Sequence, residues 1–288
     1  MTRVGTRALI DASRTAGIGT AALNVIQIEH AEAIVEGAER VGAPVILQLS
    51  ENAVRYHGAL EPIAAACRNV AEQASVPVAL HLDHATTAEL CHRAADAGFD
   101  SVMIDASAAP WSENVAITAE IAVWGHDRGL WIEAEIGEVG GKGAHVTGAR
   151  TDPVQAERFV EQTGVDGLAI AIGSSHAMRT RDATLDLDLL ARIRARVAVP
   201  LVLHGSSGVS DAGIAEAIDA GITKVNVATQ LNIAFTGAVR TLLTDDAGLV
   251  DPRTYLGAGR DAVARRAAEL ITTINRTHAQ QEEKVGIA

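Results

Sequence analysis

Pro77–His84 reads PVALHLDH, a short apolar run that closes on an acid and an imidazole. The pattern recurs along the chain. Ala21–Val25 reads AALNV, Pro44–Leu49 PVILQL, Ser101–Ile104 SVMI and Leu130–Ala134 LWIEA. Gly167–Ile172 reads GLAIAI, Pro200–Leu203 PLVL and Lys224–Val227 KVNV. With Pro77–Leu82 these make eight β-rich runs of 4–6 residues, the signature of strands buried on both faces. Between them lie Ala- and Glu-rich segments with helical spacing. In Glu29–Val41, the apolar positions Ala31, Ile34, Val35 and Ala38 recur every three or four residues. Leu60–Ala74, Thr87–Ala97, Glu113–Arg128, Pro153–Thr163, Asp186–Val197 and Ser210–Ala220 follow the same logic. Pro62 falls at a helix start and Ser210 at an N-cap position, as helix-entry chemistry requires. Gly42, Gly98, Gly164 and Gly221 stand where a helix hands over to a strand.

Strand–helix alternation with short connections implies parallel pairing and right-handed crossovers. Eight such units predict an α/β (β/α)8 TIM barrel, read as one domain over residues 1–288 with a C-terminal helical tail after about Leu243. A doubly wound open sheet is the rival. No G-x-G-x-x-G follows the first run, which argues against its dinucleotide-binding version. Composition narrows the class further. Aromatic residues make up only 3%, too few for a base-stacking surface. The net charge of −12 disfavours a nucleic-acid footprint, which needs clustered Lys and Arg. Cys67 and Cys91 are too few for a disulfide framework and read as small buried apolar residues. No membrane span and no secretory leader is legible, so a cytoplasmic setting is expected.

A barrel gathers its chemistry at the C-terminal ends of its strands. The polar residues in or just after the eight runs are Asn24, Ser50, Asp83, His84, Asp105, Glu135, His176, His204, Asn226 and Thr229. Three of them are His from separate runs: His84, His176 and His204. Three imidazoles converging on one barrel mouth suit a catalytic Zn2+ with an open position. Glu135 or Asp105 would add a ligand or hold a water. His204–Gly208 reads HGSSG and Asn226–Thr229 reads NVAT. The loops after strands seven and eight of such barrels commonly bind phosphate through backbone N–H groups. Gly205 and Gly208 would permit close backbone approach, and Ser206, Ser207 and Thr229 would donate hydroxyls. A Gly-rich turn that only caps the next helix is the alternative.

The segments PVILQLSE, PVALHLDH, AGFDSVMIDAS, IEAEIGEVGG, TDP, AIGSSH, PLVLHGSSG, ITKVNVAT and DPRTYL occur in this order over roughly residues 18 to 275. In them the chain resembles the class II, zinc-dependent ketose-bisphosphate aldolases, which include fructose- and tagatose-bisphosphate aldolases. The resemblance implies that His84, His176 and His204 ligate zinc. It ties Glu135 and Asp105 to an alternative or structural metal position. It makes Asp83 the acid/base at the aldehyde-derived hydroxyl. It places Gly205, Ser207, Asn226, Thr229 and Ala177 around the ketose 1-phosphate, often beside a monovalent cation (Na+ or K+). Ser50 and Asn24 would line the sugar pocket, and Arg260 in the tail would meet the second phosphate. The implied activity is reversible cleavage of a ketose bisphosphate to dihydroxyacetone phosphate and an aldehyde, in a homodimer or homotetramer. Zinc would take the place of the Schiff-base lysine of the other aldolase class. Lys224, which opens the eighth run, is not at a strand end.

One motif departs from the family. Members carry a mobile GGxED loop after strand five, whose acid moves the proton on the dihydroxyacetone carbon. Here Gly140–His145 reads GGKGAH. Three explanations stand: His145 or Glu138 replaces the acid, the donor or acceptor differs, or the chain is a weakly active paralogue. Arg179 and Arg181 follow the His176 loop, where members often place one basic residue. They meet an anionic substrate or face solvent. A metal-dependent epimerase or lyase acting on another phosphorylated sugar, and a non-catalytic partner subunit, are the rival functions.

Overall fold

The computed structural model describes residues 3–136, 150–175 and 178–276. Eight strands close into a barrel in which each is parallel to its neighbours: β1 (Thr20–Asn24), β2 (Val45–Ser50), β3 (Val78–Ala85), β4 (Ser101–Ile104), β5 (Trp131–Glu135), β6 (Gly167–Ile170), β7 (Leu201–Leu203) and β8 (Ile222–Val227). All eight expected runs are strands, with ends shifted by a few residues. β8 starts two residues earlier than expected, so Lys224 does not open the strand but lies inside it.

The helices are α1 (Thr6–Ala16), α2 (Ile28–Val41), α3 (Glu51–His57), α4 (Glu61–Gln73), α5 (Ala88–Asp96), α6 (Trp111–His126), α7 (Pro153–Thr163), α8 (Leu187–Arg194), α9 (Asp211–Asp219), α10 (Thr229–Asp245) and α11 (Pro252–Asn275). Their ends carry the expected chemistry. The Ser210 hydroxyl accepts from Gly213 N–H, and Gly42 and Gly164 stop α2 and α7 in the left-handed conformation. The tail segment DPRTYLGAGR is helical from its second residue. It is the first part of α11, entered at Pro252, the N1 position proline favours.

Strand pleating separates two sets of buried side chains. Leu23, Val45, Leu47, Leu80, Leu82 and Val225 point outward into the layer beneath the helices. Ala22, Ile46, Ala79, Trp131, Ala169 and Val202 point inward and form an apolar floor with Leu9 and Ile10 of α1. Trp131 fits because β6 opens with Gly167. A Cβ there would sit 2.4 Å from the indole. Above the floor the inward positions become polar: Gln48, His81, Glu133 and Lys224 are all fully buried. Ser50, Asp83, Glu135 and Asn226 follow one pleat period further on, and Asn24 pairs in register with Gln48. The barrel therefore runs from apolar to charged along its axis, with the charged end at the strand C-termini. No helix among the described residues is long and apolar enough to cross a membrane.

Candidate active site

β3 delivers two functional groups at once. Side chains of adjacent strand residues normally point to opposite faces. Here the β3–β4 register shifts between Leu82 and Ala85, and His84 takes a φ of 53°. Such a bulge re-aims a side chain at the cost of local strain. Asp83 and His84 then both face the mouth, with Asp83 Oδ1 3.7 Å from His84 Nε2.

His84 Nδ1 lies 2.6 Å from Asp105 Oδ2, just past the end of β4. Burial would raise the Asp105 carboxyl. The hydrogen bond and charge of His84, with the Ser107 hydroxyl and amide, hold it well below the usual carboxylate range. His204 follows β7 directly. Its Nε2 lies 2.9 Å from Glu133 Oε1 and its Nδ1 3.4 Å from Glu135 Oε2. Burial alone would depress this imidazole, but hydrogen bonds and charge from Glu133 and Glu135 lift it to about 9. The His84 and His204 rings meet edge to face, 4.8 Å apart.

These donors form two overlapping groups. One atom each from Asp83, His84 and His204 lies within 4.8 Å of the others, and the same holds for His84, Asp105 and Glu135. Nitrogen and carboxylate oxygen donors suit zinc. Each described imidazole also has one ring nitrogen held by a carboxylate, Asp105 for His84 and Glu133 for His204. That support is characteristic of metal-ligating histidines. The fully buried His204, raised by two acids, marks a pocket that favours a cation. The residues present therefore fit a zinc ion.

The loops after β6 and β7 are laced together. Ser174 Oγ donates to the His204 carbonyl at 2.6 Å. Gly205 has a φ of 64°, and a Cβ on it would lie 2.6–2.8 Å from the Ser175 backbone. The segment leading into His176 is thus held against the His204 strand end. His176, Ala177, Glu138 and His145 themselves lie outside the described residues. Ser206–Gly208 forms a single 3-10 turn, and Ser206 Oγ donates to the Asn226 carbonyl. α10 opens at Thr229 without a side-chain cap, and Gln230 Nε2 ties it to the Ser207 carbonyl at 2.9 Å.

The remaining expected site residues are placed as follows. Ser50 pairs in register with Asp83 and caps α3 by accepting from Ala53 N–H. Asn24 accepts from Gln48 Nε2 at 3.0 Å. Asn226 Nδ2 lies 3.4 Å from Asp83 Oδ1 and 3.0 Å from His204 Nε2. Arg260 sits on α11 and pairs with Glu32 of α2 at 3.2 Å. Arg181 pairs with Asp211 at 2.6 Å, and Arg179 is exposed.

Sequence reasoning missed Glu133, Gln48 and Lys224. Lys224 Nζ contacts Asn226 Oδ1 at 2.6 Å, Glu133 Oε2 at 2.9 Å and Gln48 Oε1 at 3.1 Å. A charged residue inside an otherwise apolar run was the available signal for Glu133 and Lys224. Cys67 and Cys91 are free and buried, and burial pushes both thiols up to about 12.

A closed parallel barrel with paired imidazoles at its mouth and a carboxylate against them is equipped for metal-assisted chemistry on an oxygen-rich substrate. Comparison with known proteins narrows that class. Residues 4–279 match the family described as class II fructose-bisphosphate aldolase. A fructose-bisphosphate aldolase of Geobacillus stearothermophilus is 43% identical over 245 residues, which span 83% of this chain and 85% of the relative. The crystal structure of the YdjI aldolase from Escherichia coli K12 superposes with a TM-score of 0.82 at 35% identity, covering 93% of this chain and 95% of that one. A putative fructose-1,6-bisphosphate aldolase from Coccidioides immitis also gives 0.82, at 30% identity over 95% and 98% of the two chains. The chain belongs to the class II fructose-bisphosphate aldolase family and is an aldehyde lyase.

Proposed function

We propose that the protein reversibly cleaves a ketose bisphosphate, of the fructose or tagatose 1,6-bisphosphate type, to dihydroxyacetone phosphate and an aldehyde, with zinc held by His84, His204 and His176. The observation that carries this reading is the packing of Asp83 between the His84 ring and Asn226. This packing supports reading Asp83 as a proton-accepting carboxylate at the edge of the metal site. When bound, zinc supplies Lewis acidity toward the substrate's carbonyl end and offsets the negative charge left there.

The chain's own residues do the rest. Asp83 takes the C4 hydroxyl proton as the C3–C4 bond breaks, and the electron pair stays on the dihydroxyacetone phosphate half. In condensation Asp83 returns that proton. The uncapped N-terminus of α10 and the Ser206–Gly208 turn offer backbone N–H groups to the 1-phosphate. His145 is the candidate donor to the C3 carbanion, standing where the family's acidic loop residue is absent. For this role His145→Ala is expected to lose proton exchange on dihydroxyacetone phosphate while zinc content stays normal.

Triose release from fructose and tagatose 1,6-bisphosphates, measured with and without a chelator, tests the whole reading. Cleavage of at least one sugar, lost on zinc removal and restored by zinc, is expected. Activity that survives complete metal removal would refute the zinc mechanism. Absence of both cleavage and donor proton exchange would refute the aldolase assignment for these substrates.

A further inference from the structure

Lys224 is fully buried in the barrel, one pleat period below Asn226. An ammonium carries three donors and no acceptor. Here it meets three acceptors from three other positions: Gln48 Oε1 on β2, Glu133 Oε2 on β5 and Asn226 Oδ1 on β8 itself. Each contact fixes the polarity of a group that faces upward. A side-chain amide can present either its oxygen or its NH2, and its neighbours decide which. A donor-only neighbour forces the oxygen of Gln48 and of Asn226 downward. Their NH2 groups must then point away from it. Gln48 Nε2 reaches Asn24 Oδ1 at 3.0 Å, and Asn226 Nδ2 lies 3.0 Å from His204 Nε2 and 3.4 Å from Asp83 Oδ1. Glu133 offers one oxygen to Lys224 and the other to His204 Nε2 at 2.9 Å. That leaves His204 Nδ1 turned to the Glu135 side of the pocket. The three arms end on a sugar-pocket residue, the proton-transfer carboxylate and a zinc ligand.

We propose that Lys224 is a positioning residue for the reaction, a buried cation that sets the hydrogen-bond polarity of the active-site floor by orienting Gln48, Asn226 and Glu133. It touches neither substrate nor metal. The inference deepens the aldolase reading, on which its kinetic arm rests. It predicts that the charge pair matters beyond stability, because each partner faces a different functional group.

Lys224→Met alone would strand Glu133 as a buried unpaired charge, which is strongly destabilising. The test therefore compares Glu133→Gln, in which the ammonium keeps its neutral acceptors Gln48 and Asn226, with the double variant Lys224→Met/Glu133→Gln, in which no charge is stranded. Zinc affinity is measured first, by competition with a chromophoric chelator and without substrate. Both variants are expected to lose affinity by ~10–100-fold, the usual effect of removing the carboxylate behind a metal-bound histidine. kcat and KM for the better of the two ketose bisphosphates are then measured at saturating zinc. Glu133→Gln keeps Lys224 against Asn226 and is the reference from which the effect of removing the lysine is read. The double variant should lose a further tenfold or so in kcat, more than it changes KM, because the Asn226 amide is free to turn away from Asp83.

Wild-type zinc affinity in both variants overturns the proposal, as does an equal kcat in the two at saturating zinc. A lowered melting temperature with affinity and kcat preserved would show a purely structural lysine and also overturns it. If the wild-type protein neither cleaves either sugar nor exchanges the donor proton, the aldolase assignment for these substrates falls. The zinc measurement still decides the Glu133–His204 arm.

Discussion

Buried and half-buried carboxylates occur at both ends of the barrel, in contrasting company. At the N-terminal end, Asp100 accepts from Leu80 N–H and pairs with Arg3, while Asp166 accepts from Ile132 N–H and pairs with Arg7. Each of these acids fixes the start of a strand and is matched by an arginine from the N-terminal segment. At the mouth, Asp105, Glu133 and Glu135 face His84 and His204. The lower acids finish a structural bond. The upper acids take imidazoles as partners, and Glu133 shares Lys224 as well. Beneath both lies the dry layer of Trp131, Ile46, Val202 and their neighbours. The contrast teaches that substitutions low in the barrel should cost stability and those at the mouth should cost chemistry.

The largest expected effect is at the mouth. His204→Ala should lose zinc and lower kcat/KM for triose release by about 10⁴-fold, equivalent to ~5.5 kcal/mol of transition-state stabilisation. Metal analysis and steady-state kinetics on the folded variant check this. A zinc-replete, active variant would break the division. Next is the floor. Trp131→Ala empties the largest fully buried side chain and should cost ~3–5 kcal/mol in urea unfolding, with zinc affinity retained by the folded protein. Loss of zinc affinity without loss of stability would invert the comparison.

Asp105→Asn comes third, with an expected ~10–100-fold loss of zinc affinity and little change in melting temperature. The smallest effect separates acid sensitivity from the mouth altogether. His30 lies outside the barrel, stacked on Phe235 of α10 at 5.1 Å, and burial pushes it down to about 4 against an opposing contact from Asn232. A histidine depressed in the folded state binds its proton more readily when unfolded. Its contribution is complete above the unfolded value near 6.5 and is lost as the pH falls toward 4. Between pH 7 and 5.5 this amounts to about 1 kcal/mol. His30→Gln should flatten the melting temperature over that window. An unchanged slope would return the acid sensitivity to the carboxylates.

Strand number, order and the mouth residues were legible because each run ends where its polarity changes. The interior was harder to read. In a barrel buried on both faces, inward and outward positions are equally apolar, so the pleat phase leaves little mark in sequence. Glu133 and Lys224 were the exceptions, and placing the start of β8 at Lys224 instead of Ile222 hid the second. The bulge at His84 was readable only in part. Two adjacent functional residues demand a break in alternation, but the register shift that supplies it depends on pairing with β4. α1 was overlooked because it precedes the first strand and carries no site residue. Arg260 was expected at a phosphate from its motif, and its Glu32 partner lies 228 residues away in sequence, beyond the reach of local pattern.

That overlooked helix has a consequence for synthesis. Leu9 and Ile10 are synthesised long before Val202 of β7, which completes the surface they cover. Until then the apolar face of α1 lacks its full seat, and chains with exposed apolar surface are prone to aggregate. The last strands therefore do more than close the ring. They complete the seat of α1, and a ribosome stalled before β7 would hold a chain in which that helix still seeks cover.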